Sequence, residues 1–89
     1  MISRANPRFW KAFAALSPEI QRQARDAYRL FRDNPRHPGL RFKKVHAERP
    51  IYSVRITRDY RAVGVLAGDE VVWFWIGSHA GYEQLLGGL

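Results

Sequence analysis

Cysteine is missing from the 89-residue chain, which excludes a disulfide framework, a cysteine-ligated zinc site and a thiol nucleophile. No stretch approaches the roughly 20 apolar residues that a membrane span requires. The opening "MISRANPRFWKAF" has neither the uninterrupted apolar run nor the small-residue cleavage site of a secretory signal. These absences predict a soluble cytoplasmic protein with no membrane partner. There are no internal repeats and no low-complexity linkers, so residues 1–89 are expected to form one domain with one modest core. Acidic residues are scarce, at 8 Asp/Glu against 15 Lys/Arg, for a net charge of +7. The imbalance is local: residues 1–45 hold 11 Lys/Arg and 3 Asp/Glu, or +8, and residues 46–89 hold 4 and 5, or −1. A basic half of this kind attracts a polyanion such as nucleic acid, or an acidic protein.

What is present reads as an ordered set of elements. In "NPRFWKAFAALSP", Asn6 suits an N-cap and Pro7 the first helical position, with Trp10 expected in the core. In "SPEIQRQARDAYRLFRDNP", Ser17 caps a longer helix whose Ile20, Ala24, Ala27 and Phe31 recur at helical spacing. Its other face carries Arg22, Arg25, Arg29 and Arg32, either a solvated surface or a contact surface. "LRFKKV", "YSVRIT", "YRAVGVL" and "EVVWFWIGSH" read as four strands, and "AGYEQLLGGL" as a short helical tail. The run "VVWFWI" is apolar on both faces and belongs in the middle of a sheet, with Trp73 and Trp75 alternating onto one face. The expected fold is α+β: a mainly antiparallel four-stranded sheet with its helices, an N-terminal helical hairpin and a short C-terminal helix, packed on one face.

Parity assigns the strand arginines. The large apolar residues of Tyr52–Ile56 are even-numbered, and so are most of those in Tyr60–Leu66. Directly opposed residues of an antiparallel pair share a face. A three-residue connection, Thr57 to Asp59, would set Ile56 opposite Tyr60 and Arg55 opposite Arg61, away from the core. A two-residue turn would instead send Arg61 to the apolar face, costing several kcal/mol as an uncompensated buried charge. Two facing arginines repel, and an anion such as a phosphate compensates both. The alternative is two side chains splayed into water.

The succession "FWKAFAALSPEIQRQARDAYRLFRDNPRHPGLRFKKV…YSVRITRDYRAVGVLAGDEVVWFWIGSH" resembles the RelE/ParE superfamily of bacterial toxins from type II toxin–antitoxin systems. The resemblance covers nearly the whole chain. It rests on the helical hairpin, the "L-x-F-K-K" strand, the "Y-x-V-R-I…Y-R-A-V" hairpin and the last apolar strand ending near a histidine. It implies the small α+β toxin fold and, for the RNase branch, a metal-independent endoribonuclease without a cofactor that cuts mRNA on the ribosome. There the ribose 2′-OH attacks the adjacent phosphate, and the protein must polarise that hydroxyl, neutralise the phosphorane and protonate the leaving oxygen. By position, Arg61 matches the family's strand arginine that binds the scissile phosphate, and Arg55 the basic position before it. Arg41, Lys43 and Lys44 fall where basic residues approach the phosphate. His79 matches the C-terminal histidine that some members use as general acid or base.

Two positions depart from the pattern. The tail "GSHAGYEQLL" lacks an arginine that some relatives carry, and Tyr82 is a loose match to their tail tyrosine. Glu48 is the nearest counterpart of a glutamate base, at a different spacing. The implied partners are an acidic antitoxin, the ribosome and mRNA. The other readings are a non-nucleolytic DNA gyrase inhibitor of the ParE branch, or an inactive or orphan domain that binds RNA or ribosomes without cutting.

Overall fold

The computed structural model describes residues 1–89. Its elements are β1 (Ile2–Ala5), α1 (Pro7–Ala14), α2 (Pro18–Asp33), a 3-10 turn at Pro38–Leu40, β2 (Lys43–Lys44), β3 (Ile51–Thr57), β4 (Tyr60–Ala67), β5 (Glu70–Ser78) and α3 (His79–Gly87). No helix is long and apolar enough to cross a membrane.

Both first helices start where their caps dictate. Asn6 Oδ1 accepts from Phe9 N–H at 3.0 Å with Pro7 behind it, and Ser17 Oγ accepts from Ile20 N–H at 3.3 Å with Pro18 behind it. Each such cap stabilises its helix by about 1 kcal/mol. The residue spacing then turns one apolar stripe of each helix onto the sheet, where Phe13, Ala24 and Phe31 join Leu40, Val54, Ala62, Val71, Trp73 and Ile76. Phe31 meets Phe42 and Trp73 edge-on, with ring centroids 5.0 and 5.4 Å away.

The sheet has five strands in the order β1-β5-β4-β3-β2, not four, and it is mixed. β1 runs parallel to β5, pairing Ile2 with Glu70 through Ala5 with Trp73. "ISRA" carries no strand pattern of its own; it is a strand because the free edge of β5 offers it hydrogen-bonding partners. Trp73 Nε1–H donates to Ser3 Oγ at 2.7 Å, and Arg4 pairs with Glu70 at 3.0 Å. β5 is therefore an interior strand, paired on both sides, as its two apolar faces require.

Three further expectations are corrected. The helices do not all lie on one face: α3 packs on the other, where Tyr82 meets Ile51 and Val63 to form a second small core. Trp73 and Trp75 do not share a face. Val63 pairs with Trp75 and Gly64 with Trp73, so Phe74 is an extra residue that bulges and reverses the alternation. Trp73 belongs to the core under α1 and α2, and Trp75 to the one under α3. The bulge needs Gly64, because a Cβ there would sit 2.8 Å from the Trp73 ring and 2.9 Å from the Val72 carbonyl oxygen. Trp10, finally, is 53% exposed on the outer flank of α1.

Candidate functional site

Arg55 and Arg61 are direct partners across β3 and β4, as parity requires. The connection that brings this about differs from the expected one. The turn has two residues, Arg58 and Asp59, and pairs Thr57 with Tyr60, while the register shifts by one residue between Arg55 and Thr57. Ile56 is that extra residue. The bulge restores the parity that a two-residue turn alone would break, and so keeps Arg61 off the apolar core.

The paired arginines sit on α3's face of the sheet, and the strand register fixes what surrounds them. One row runs Lys43, Ser53, Val63, Trp75, and the next runs Arg55, Arg61, Gly77. Lys43 therefore shares the arginines' face. Lys44, paired with Tyr52, lies on the opposite one, where the Tyr52 ring packs 5.0 Å from Phe42. Continuing β2 backward would set Arg41 opposite Arg55, but Arg41 has a left-handed backbone (φ 48°) that closes the 3-10 turn and ends the strand. Beyond β2 the edge of β3 is uncovered, and Arg55 there borders a cleft with Gln23, Asp26 and Thr57.

No carboxylate lies within 4.0 Å of Arg55, Arg61, Lys43 or Lys44; the ion pairs of the chain all lie elsewhere. Ladder geometry sets the Cα atoms of Arg55 and Arg61 about 4.5–5.5 Å apart. Two cations at that distance, without an anion between them, repel. Arg61 is partly held: its Nη1 donates to the carbonyls of Thr57, Arg58 and Tyr60 at 2.7, 3.2 and 3.0 Å. These bonds draw the guanidinium back along its own turn and leave Nε and Nη2 as donors for a ligand.

The N-terminus of α3 closes the same corner. Ser78 caps it, with Gly81 N–H donating to Ser78 Oγ at 3.2 Å, and His79 N–H donates to the Asp59 carbonyl in the β3–β4 turn at 2.7 Å. The Trp75 ring lies between Gly77 and Gly81; a Cβ at Gly77 would be 2.6 Å from it and one at Gly81 3.1 Å. Two glycines thus let the indole slot between sheet and helix. The result ties Arg61, the turn and His79 into one unit, whose cations and positive helix end favour an anion.

His79 Nε2 lies 3.1 Å from Glu83 Oε1. Glu83 was not among the residues singled out from the sequence, although its spacing of four from His79 on a helix was a readable signal. Tyr82 is the correction in the other direction. It is 7% exposed, with its hydroxyl donating to Ser53 Oγ at 3.4 Å, and so is a core residue under the site and no surface ligand. Glu48 stands in the loop before β3, its N–H donating to His46 Nδ1 at 3.1 Å. From Ile51 to Arg55 the strand rises about 13 Å, so the fold places Glu48 at the far end of β3 from the arginines.

A separate groove lies between α1, α2 and β1. It encloses about 370 Å³ and is lined by Phe9, Trp10, Phe13, Tyr28 and Trp73, with Arg4 and Arg25 at its margin. Arg25 lies 5.1 Å over the Phe13 ring. Trp10 and Tyr28, 53% and 47% exposed, leave the outer rim of this groove open to solvent.

No curated protein is significantly similar to this chain in sequence. In structure it is similar to YafQ from E. coli strain BL21(DE3), with a TM-score of 0.72 and 10% identity over 90% of this chain and 94% of that one. It also matches the RelB-RelE antitoxin-toxin complex from Methanococcus jannaschii, with a TM-score of 0.70 and 14% identity over 92% and 96%. The isolated E. coli RelE toxin aligns over 99% and 98% of the two chains, with a TM-score of 0.67 and 17% identity. These likenesses establish the fold. The family model of the ParE-like toxin domain matches residues 18–84, three quarters of the sequence, from the first residue of α2 into α3. The chain belongs to the ParE-like toxin domain family, and is a toxin of the RelE/ParE superfamily of toxin–antitoxin systems.

Proposed function

We propose that this toxin is a metal-independent endoribonuclease that cleaves mRNA on the ribosome, in the cytoplasm, with Arg55 and Arg61 gripping the scissile phosphate. The observation that carries the reading is the uncompensated pair Arg55–Arg61, set beside the N-terminus of α3 and its histidine. In this reading the 2′-oxygen bonds to phosphorus as its proton leaves, and the phosphorane's added charge falls among the two guanidiniums, Lys43 and the positive end of α3. Preorganised donors aimed at developing charge are the largest single source of such acceleration. His79 moves the proton. The known structures of similar fold include toxins solved with their antitoxins, and the apolar groove with its arginine margin suits an acidic amphipathic segment of such a partner.

The test is primer extension on a reporter mRNA in a translating extract, with the protein and its Arg61→Ala variant. Ribosome-dependent cuts that vanish in the variant support the reading, and translation continuing on uncut message overturns it. The second reading, inhibition of DNA gyrase without cleavage, draws support from the ParE-like family match and from the tail without arginine. A supercoiling assay decides it, and Arg61→Ala should leave such inhibition largely intact.

A further inference from the structure

Glu83 pairs with His79 in an arrangement that helix stability does not explain. His79 is the first residue of α3 and Glu83 lies four residues on, with 3.1 Å between Nε2 and Oε1. An acid–base pair supports a helix best when the acid comes first, because the helix N-terminus is itself positive. Here the base stands at the positive end and the acid follows. Both side chains are exposed, at 51% and 64%, where an ion pair adds little to stability. A pair ordered against its helix and unneeded for the fold is the kind of local conflict that function retains.

We propose that Glu83 is a positioning residue, one that holds the His79 imidazole with its Nε2–H on the carboxylate and so leaves Nδ1 as the ring's bare acceptor. The backbone on which the ring stands is already fixed, since His79 N–H is bonded to the β3–β4 turn and the Trp75 ring wedges the start of α3. The carboxylate fixes the remaining freedom, the rotation of the ring and the choice of tautomer. The role rests on the endoribonuclease reading above. In that reaction Nδ1 takes the proton of the 2′-hydroxyl as its oxygen bonds to phosphorus. The 5′-oxygen departs with the electron pair of the broken P–O bond and receives a proton from solvent. Glu83 touches no substrate and acts only through the ring.

The experiment has two readouts on the full chain. Nitrogen-15 spectra of the free protein, with His37 and His46 as internal references, should show one His79 tautomer protonated at Nε2 in the wild type and in Glu83→Gln, which keeps the acceptor oxygen. Glu83→Ala should move both ring nitrogens to averaged values. Identical His79 spectra in wild type and Glu83→Ala would overturn the pairing. In the translating extract, Glu83→Ala should slow cleavage about tenfold or more, a share of what general acid–base catalysis supplies, with RNA affinity unchanged. In a His79→Ala background the same substitution should cost nothing further. Additional loss in that background would sink the positioning role. A wild type that leaves message uncut would overturn the nuclease chemistry, and the ring spectra would still decide the pairing on their own.

Discussion

Arg22, Arg29 and Arg32 on α2 each have a carboxylate from their own helix at hand: Glu19, Asp26 and Asp33 respectively. Arg55 and Arg61 on the sheet have each other. The bond from Glu19, reinforced by its charge, pushes the Arg22 guanidinium further up from its ordinary value. Those helical cations are cancelled where they stand, and they read in the sequence as the more conspicuous basic feature. The strand pair is inconspicuous and keeps its charge. The comparison teaches that a count of arginines locates no site; what the neighbouring elements supply to each of them does.

Substitutions test that contrast in descending order of effect. Arg61→Ala should reduce cleavage by about 100- to 1,000-fold, the usual loss when one preorganised donor to a charged transition state is removed, measured as cut message in primer extension. It also frees the three turn carbonyls that Arg61 now serves. Gly77→Ala leaves every arginine in place but drives a methyl into the Trp75 ring. Urea unfolding should show a loss of about 1–3 kcal/mol, typical of overpacking against a fixed ring. Ser78→Ala removes the cap of α3 and should cost about 1 kcal/mol in thermal unfolding. Arg29→Ala should be the mildest, within about 0.5 kcal/mol and with cleavage unchanged, because an exposed pair contributes little. If Arg29→Ala proved as damaging to cleavage as Arg61→Ala, the division between the two sets would fail.

Local chemistry made much of this legible in the sequence. Asn6-Pro7 and Ser17-Pro18 mark both helix starts, and the even-numbered apolar residues of the hairpin predict that Arg55 faces Arg61. What escaped depends on contacts far along the chain. β1 is a strand because of the β5 edge, which no feature of "ISRA" announces. The Ile56 and Phe74 bulges each add one residue to one strand only, and a period-2 pattern hides such an insertion. Parity was right about Arg61 with the wrong turn, because a bulge and a longer turn have the same effect on which face a side chain takes. Tyr82 looked like a ligand by position, and only the second core beneath α3 makes it a packing residue. Glu83 gains a meaning only from where α3 begins, since that start sets it one turn from His79.

The parallel pairing of β1 with β5 also bears on how the molecule assembles. Ile2 and Glu70 are 68 positions apart, whereas β3, β4 and β5 are joined by short turns. Closing a long loop carries a greater entropy cost than closing a hairpin, so the three-stranded meander is set to form early and β1 to dock late. The arginine row lies wholly inside that early unit. The rim built by β1 should therefore be the first part to open, and the amides of Ile2 and Asn6, which donate to the Asp69 and Trp73 carbonyls, should exchange with solvent faster than those of Val63 and Ile76. On this account the two arginines face each other before the sheet is finished.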